Sequence, residues 1–356
     1  MQNTNSTSSS PLIDLRGVWK IFGANEQAVC QDIKNRGLSR QETLEQHKAV
    51  MAVADVTLQI YPGETFCVMG LSGSGKSTLV RLINRLIPPT AGELMVSGQN
   101  VSTMGEKEVR AFRSARLGMV FQNAALLPHR TVLENTAFPL ELRNMPRKDR
   151  EEKARAALEL VHLAGWESYF PDQLSGGMQQ RVGLARALAS DPEILLMDEP
   201  FSALDPIIRR DLQDEFVNIV KSVNKTAVFI THDLDEAIRV GDRIAVMKDG
   251  RVQQVGTPVD IVMTPANEHI AKFVSGVSRL PILTAADVMD EAATDAPQND
   301  RVVPARAPLS NVIDRAIAEG FPMGIERDGK IIGQITEKSL LKSISTHEFE
   351  AVAKSA

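Results

Sequence analysis

An α/β fold is predicted for most of the chain by three features of its sequence. Phe66-Cys67-Val68-Met69, Ile194-Leu195-Leu196-Met197 and Ala227-Val228-Phe229-Ile230 are apolar throughout, as strands covered on both faces of a parallel sheet must be. Helix-period stripes alternate with them, at Leu79, Leu82, Ile83, Leu86 and at Leu212, Phe216, Val220, Val223. After Arg279 the composition shifts, and a smaller α+β unit follows.

The 356 residues give room for about two domains. A composition 43% hydrophobic and 24% charged supports a real core and excludes disorder for the bulk of the chain. A net charge of −5 has the wrong sign for a nucleic-acid surface, and 4% aromatics leave few platforms for stacking bases. No nucleic-acid partner is expected. Cys30 and Cys67 lack paired-thiol spacing and a His cluster for metal, which suits a reducing cytosol. No run approaches the ~18 apolar residues of a membrane span, and Met1 to Ser10 has no apolar signal core. The chain is expected neither to cross nor to leave through a membrane by itself.

In order along the chain, residues 1–11 read as a disordered polar leader and Leu12 to Phe22 as a strand. Residues 24–48 look like an insertion, in which Ser39-Arg40-Gln41-Glu42 has the capping-box spacing that opens a short helix. The α/β alternation runs from Val53, with a further strand at Arg243 to Met247. Asp249-Gly250 before Arg251 to Val255 predicts a hairpin that closes the domain near 275. Between Arg279 and Arg301 five acids and no base mark a linker and the start of the small unit. Val302-Val303, a helix with Leu309, Val312, Ile313 and Ala316 on one face, Met323 to Arg327, an Asp328-Gly329 turn, Ile331 to Ile335 and a final helix make one β-α-β-β-α unit over about 280–346.

The strand at Phe66 runs into Gly70-Leu71-Ser72-Gly73-Ser74-Gly75-Lys76-Ser77-Thr78, a complete G-x-x-x-x-G-K-[ST]. Its glycines let backbone N–H groups face a β-phosphate, and the following helix aims its positive end there. Lys76 is placed to reach the β- and γ-phosphates and Ser77 to hold Mg²⁺. The competing reading, a Gly/Ser-rich turn before a helix, does not require the flanking strand and stripe that are present. Asp198 and Glu199 close the apolar run Ile194 to Met197, at the strand end where open α/β sheets bind ligands. Asp198 is placed to hold Mg²⁺ through water, and Glu199 to polarise the attacking water. Leu174-Ser175-Gly176-Gly177-Met178-Gln179-Gln180-Arg181 opens a second helix with an anion-binding terminus, although the chain carries a single phosphate-loop lysine.

These motifs, in this order over residues 12–275, resemble the nucleotide-binding subunit of an ATP-binding cassette (ABC) transporter, whose LSGGQ signature reads Leu174 to Met178 here. The resemblance implies a P-loop ATPase fold and a head-to-tail homodimer, with each ATP between one chain's phosphate loop and Ser175, Gly176 and Gly177 of the other. It implies that Gln122 is the Q-loop glutamine, touching Mg²⁺ and linking the site to the membrane subunits. Asp205, in Ser202-Ala203-Leu204-Asp205, corresponds to the D-loop across the dimer, and His232 to the switch histidine on the γ-phosphate. Phe22 corresponds to the aromatic that stacks on adenine, with Trp19 as its rival. Each has a plain alternative: Gln122 or His232 as a surface or capping group, Asp205 as the cap of the helix at Pro206, Phe22 or Trp19 as core.

The loop at Met69 to Thr78, the insertion around Gly37 to Gln41, Phe201 to Pro206 and His232 to Ala237 are similar to those of glycine betaine, proline betaine and choline importers. Asp287-Val288-Met289 and Ile325 to Gly333 resemble a cystathionine-β-synthase-type (CBS) regulatory module, and the 77 residues after Arg279 hold one unit. Ser339 stands where that module's adenosine-binding pattern has an acid, which leaves sensing or the pairing of two tails as its role. The resemblance implies transmembrane permease subunits and a solute-binding protein as separate chains, with this one peripheral on the cytoplasmic face of the membrane. A different import solute, such as an amino acid or polyamine, and a non-transport cassette ATPase are the alternatives.

Overall fold

The computed structural model describes residues 10–280, 282–291 and 301–344. The leader expected at 1–11, up to residue 9, and the acidic stretch 292–300 lie outside the described residues. The chain divides into two compact units, up to Thr257 and from Pro258.

The first unit begins with β1 (Ile13–Phe22), α1 (Glu26–Arg36), α2 (Arg40–His47), β2 (Val50–Ile60), β3 (Thr65–Met69), α3 (Lys76–Ile83), β4 (Ala91–Val96) and β5 (Gln99–Asn100). It continues with α4 (Glu106–Arg116), β6 (Leu117–Val120), α5 (Val132–Leu142), α6 (Arg147–Leu160) and α7 (Gly176–Ala189). It ends with β7 (Ile194–Asp198), α8 (Pro206–Ser222), β8 (Thr226–Thr231), α9 (Leu234–Val240), β9 (Arg243–Lys248) and β10 (Arg251–Gly256).

Two sheets form it. The antiparallel sheet β2-β1-β4-β5 carries the N-terminal strand. The second runs β10-β9-β3-β8-β7-β6, parallel from β9 to β6, with β10 antiparallel at one edge. β3 and β8 are buried at every position, as their unbroken apolar runs require. One core joins both sheets through Ile13, Leu15, Phe66, Val68, Leu79, Leu82, Leu196 and Val228. Phe229 of β8 packs with Phe201 and Phe216, the ring centroids 5.8–6.2 Å apart in tilted and edge-on pairs.

Two expectations need correction. Leu86 was placed on the α3 stripe, but the helix stops at Ile83 because Arg85 turns to a φ of 56° and the Leu86 N–H is taken by Asn84 Oδ1 at 3.0 Å; Leu86 is 51% exposed. The insertion holds two helices where one short helix was expected. α2 has the expected capping box: Ser39 Oγ accepts from the Glu42 N–H, and Glu42 Oε2 accepts from the Ser39 N–H. α1, ahead of it, buries Val29, Cys30 and Ile33 against Trp19 and Ile21 of β1.

The second unit comprises α10 (Pro258–Met263), α11 (Glu268–Val274), α12 (Ala285–Val288), β11 (Asp290–Glu291), β12 (Val302–Pro304), α13 (Leu309–Glu319), β13 (Met323–Arg327), β14 (Lys330–Ile335) and α14 (Glu337–Ile344). Its sheet runs β11-β14-β13-β12, and the β-α-β-β-α order read from the sequence is present in β12 to α14. Leu309, Val312, Met323, Ile325 and Ile335 form its core, with Val259 and Met263 packed against it, so residues 258–275 group with this unit by compactness. Ser339 and Thr336 cap the start of α14 reciprocally: the Thr336 N–H donates to Ser339 Oγ at 2.9 Å, and the Ser339 N–H to Thr336 Oγ1 at 3.1 Å. Among the described residues no helix is long and apolar enough to cross a membrane.

Candidate functional site

The carboxyl ends of the parallel strands carry the chemistry. β3 ends in the loop Gly70–Gly75, β7 ends in Asp198, and β8, which lies between them, leads into His232.

The loop has a fixed shape. Gly75 sits at φ 103°, and a Cβ there would lie 2.3 Å from the Ala52 carbonyl oxygen, so no other residue fits without moving β2. The Gly250 N–H donates to the Ser74 carbonyl at 3.0 Å and Arg40 Nη1 donates to the Gly73 carbonyl at 2.8 Å. Two successive carbonyls of the loop are therefore held by groups from other segments. The Lys76 ammonium is buried and donates to the carbonyls of Gly70 (2.7 Å) and Leu71 (3.2 Å). Burial lowers its pKa, against the opposing pull of Glu199 and Asp198. Ser74 Oγ is buried without a hydrogen-bond partner. An orphaned hydroxyl and a buried cation inside one loop fit a polyanionic ligand.

Ser77 Oγ donates to Asp198 Oδ1 at 3.2 Å, bringing α3 and β7 together across 121 residues of sequence. These are hard oxygen donors of the kind Mg²⁺ takes. Burial raises the Asp198 pKa, with the Ser77 hydrogen bond acting against it. Glu199 follows at φ 47°, uncommon for a residue with a side chain. Its N–H donates to the Ile230 carbonyl at 3.1 Å and its own carbonyl accepts from Ser202 Oγ at 3.0 Å. That backbone is held from both sides, and it aims the carboxylate at His232: Oε2 lies 3.0 Å from Nδ1.

The remaining sequence-predicted residues fall at distinct places. Phe22, 40% exposed, lines a cavity of about 270 Å³ with Arg40, Val50, Ala52 and Gly73 to Thr78. Trp19 is 4% exposed and packs in the cluster of Ile21 and Val29. The structure thus puts Phe22 beside the phosphate loop and Trp19 in the core. Gln122 is exposed just after β6. Ser175 is the N-cap of α7, its Oγ accepting from the Met178 N–H at 3.3 Å, and Ser175 and Gly176 are exposed. Gly177 is buried, and a Cβ there would lie 3.0 Å from Ile208 Cγ2, so this glycine also admits α8 close to α7. Asp205 caps α8, Oδ1 accepting from the Ile207 N–H at 3.0 Å. None of Ser175, Gly176, Gly177 and Asp205 lines the cavity over the phosphate loop.

The sequence gives no sign of the contacts that three residues make. Arg186 donates to the carbonyls of Ala124 (2.6 Å) and Ala125 (2.8 Å), and Gln180 to those of Phe121, Gln122 and Pro200, so α7 holds the segment around Gln122 at two levels. Their only signal was a polar residue on the buried face of a helix. The third is Arg40, which the sequence shows only inside the capping-box spacing Ser39 to Glu42 and which reaches the Gly73 carbonyl.

A phosphate loop after β3, an acid pair at the end of β7 and, from β8 between them, a histidine paired to the second acid define a P-loop nucleoside triphosphatase. The ABC transporter family pattern matches residues 53–202. The chain is 51% identical over 290 residues to the glycine betaine transport ATP-binding protein OpuAA of Bacillus subtilis, spanning 81% of this chain and 69% of that one. It is 41% identical over 341 residues to the trimethylamine N-oxide transport system ATP-binding protein TmoW of Pelagibacter ubique, spanning 96% and 99%. A dimeric, post-hydrolysis ATP-binding cassette, MJ0796 bound to ADP and Pi, superposes with a TM-score of 0.58 at 32% identity, over 69% of this chain and 98% of that one. The chain belongs to the family of ABC transporter ATP-binding proteins, of the kind that serve betaine-type importers. It binds ATP and is an ATPase whose hydrolysis is coupled to transport.

Proposed function

We propose that this protein powers uptake of a small methylated amine, glycine betaine first among them, as an osmoprotectant. The observation that carries the reading is the convergence of Lys76, Ser77, Asp198, Glu199 and His232 at adjacent strand ends, in a chain 51% identical to a glycine betaine transport ATPase. The loop Gly70 to Thr78 binds the phosphates and Phe22 stacks on adenine. Ser77, Asp198 and Gln122 would hold Mg²⁺, which would supply positive charge against the negative charge of the nucleotide's phosphates. Glu199 orients and polarises the attacking water, and His232 fixes that carboxylate and meets the γ-phosphate.

The exposed Ser175 and Gly176, with Gly177 and Asp205, serve the nucleotide of a second copy, as the dimeric state of MJ0796 supports. Two permease subunits and a separate solute-binding protein complete the importer, with this chain on the cytoplasmic face of the membrane. The domain assignment is an ATPase cassette over 12–275 with its 24–48 insertion, followed by one CBS-like unit over 280–346 that senses ionic strength or nucleotide, or pairs two tails. Trimethylamine N-oxide is the second reading, because TmoW matches over 99% of its length.

The test is ATPase activity of the complex reconstituted with its permease and solute-binding protein. Stimulation by glycine betaine but not by an amino acid or polyamine supports the reading. Stimulation by trimethylamine N-oxide alone favours the second. No stimulation by either methylated amine overturns the substrate class and leaves the ATPase assignment intact.

A further inference from the structure

The two-helix insertion has no part in the chemistry described above, yet one of its side chains reaches the phosphate loop. Arg40 is the first residue of α2, directly after the N-cap Ser39. Its Nη1 donates to the Gly73 carbonyl at 2.8 Å and lies 4.0 Å from Asp249 Oδ1, so the guanidinium is fixed between the loop and the β9–β10 turn. The adjoining carbonyl, of Ser74, accepts from the Gly250 N–H of that same turn. Arg40 also stands at the border of two cavities. It lines the space over the loop with Phe22, and a larger cleft of about 850 Å³ walled by Leu38, Leu44, Val50, Lys248 and Arg251. Arg40 and Val50 are common to both.

The Ser74 N–H of that same Gly73–Ser74 peptide donates to the Leu71 carbonyl at 3.1 Å, so the peptide is held at both ends and its orientation is set before a phosphate meets the loop's other N–H groups. Without the Arg40 tie that peptide keeps one of its two anchors, the Ser74 N–H to the Leu71 carbonyl, at an exposed glycine with φ 77°. Freezing that peptide before the nucleotide arrives lowers the entropy cost of binding. The capping box holds the first turn of α2, and hence the start of the arginine side chain. Near the other end of the insertion, Glu26 of α1 pairs at 2.7 Å with Lys20 of β1, whose ammonium lies 5.1 Å from the Phe22 ring centre. The insertion therefore supports both the phosphate and the aromatic ends of the site.

We infer that the insertion is a nucleotide-affinity element and that Arg40 is a positioning residue, preorganising the phosphate loop from outside. This rests on the assignment of Gly70 to Thr78 as the nucleotide loop. The test measures binding of Mg·ATP and of Mg·tripolyphosphate to the full chain, with steady-state ATPase kinetics, for R40M, R40K and K76A. R40M is expected to weaken both ligands about tenfold, the worth of one charge-assisted hydrogen bond, and to raise KM by a similar factor with kcat within about twofold. R40K, which keeps a donor, is expected to recover at least part of that loss, an outcome that a general loss of folding does not produce. Unchanged binding in R40M overturns the inference, as does a loss confined to ATP, because an arginine acting only on base or sugar leaves tripolyphosphate unaffected. If K76A binds both ligands normally, the loop assignment itself fails, independently of Arg40.

Discussion

His232 Nδ1 lies 3.0 Å from Glu199 Oε2, so the residue that follows β8 holds the carboxylate that follows β7. Glu199 is already fixed through its backbone, and the imidazole fixes the one part of it still free to turn. Glu199→Gln keeps the shape and the ability to bond His232, but removes the charge that polarises water. ATP turnover is expected to fall by about 10²–10⁴-fold while ATP affinity stays within a few-fold. Parallel binding and phosphate-release assays check this, and turnover near wild type would exclude Glu199 from catalysis.

Ser77 and Asp198 form the oxygen pair assigned to Mg²⁺. Ser77→Ala removes one oxygen without introducing bulk and is expected to raise the Mg²⁺ concentration for half-maximal ATPase about tenfold or more, in the range seen when metal-site support is removed. A Mg²⁺ titration at fixed ATP decides it. An unchanged midpoint leaves the Ser77 hydroxyl with only its hydrogen bond to Asp198, joining α3 to β7.

The central strands were legible in the sequence because both faces are buried, leaving runs such as Phe66 to Met69 with no polar residue to confuse the period. The phosphate loop was legible for a local reason, since its geometry is encoded in nine consecutive residues. The helices α5 and α6 were not. α5 buries residues as polar as Asn135 and Thr136 and contains Pro139, while α6 offers only Ala154, Ala157 and Leu158 to its buried side. Neither gives a clear apolar stripe. The ties made by Arg40, Gln180 and Arg186 were invisible because each joins segments at least 20 residues apart through a backbone carbonyl, which has no sequence signature.

Glu236 offers a pH-dependent test of the packing behind the site. It is 6% exposed and its Oε1 accepts from Gln213 Nε2 at 2.9 Å. Burial raises its pKa, with hydrogen bonds from Thr231 and Gln213 acting against that shift. For an acid whose folded pKa lies above its unfolded one, stability is fully present below the unfolded pKa and is lost as pH rises through the folded pKa. Glu236→Gln cannot ionise and escapes that loss. The variant is expected to melt higher than wild type near neutral pH, by about 2–4 °C for each kcal/mol, and the gap should close below the ordinary carboxylate range. A constant difference across pH would mean that Glu236 does not titrate as its burial implies.

Gln180 joins three segments at one point. Its Nε2 faces the carbonyls of Phe121 at 3.2 Å and Gln122 at 2.8 Å, together with that of Pro200, the residue after Glu199. An amide nitrogen has two hydrogens to offer three acceptors, so one carbonyl is always underserved. α7, capped by Ser175, thereby shares one side-chain nitrogen between the segment around Gln122 and the one that follows Glu199. Gln180→Leu keeps the side-chain bulk, removes the donor and strands the three carbonyls, at a cost of about 1–3 kcal/mol. Gln180→Glu sets carboxylate oxygens against carbonyl oxygens and should be worse in melting temperature. If the amide also carries the signal, the ratio of solute-stimulated to basal ATPase in the reconstituted importer falls toward one in Gln180→Leu, while ATP affinity holds. A lower melting temperature with that ratio unchanged would reduce Gln180 to a packing role.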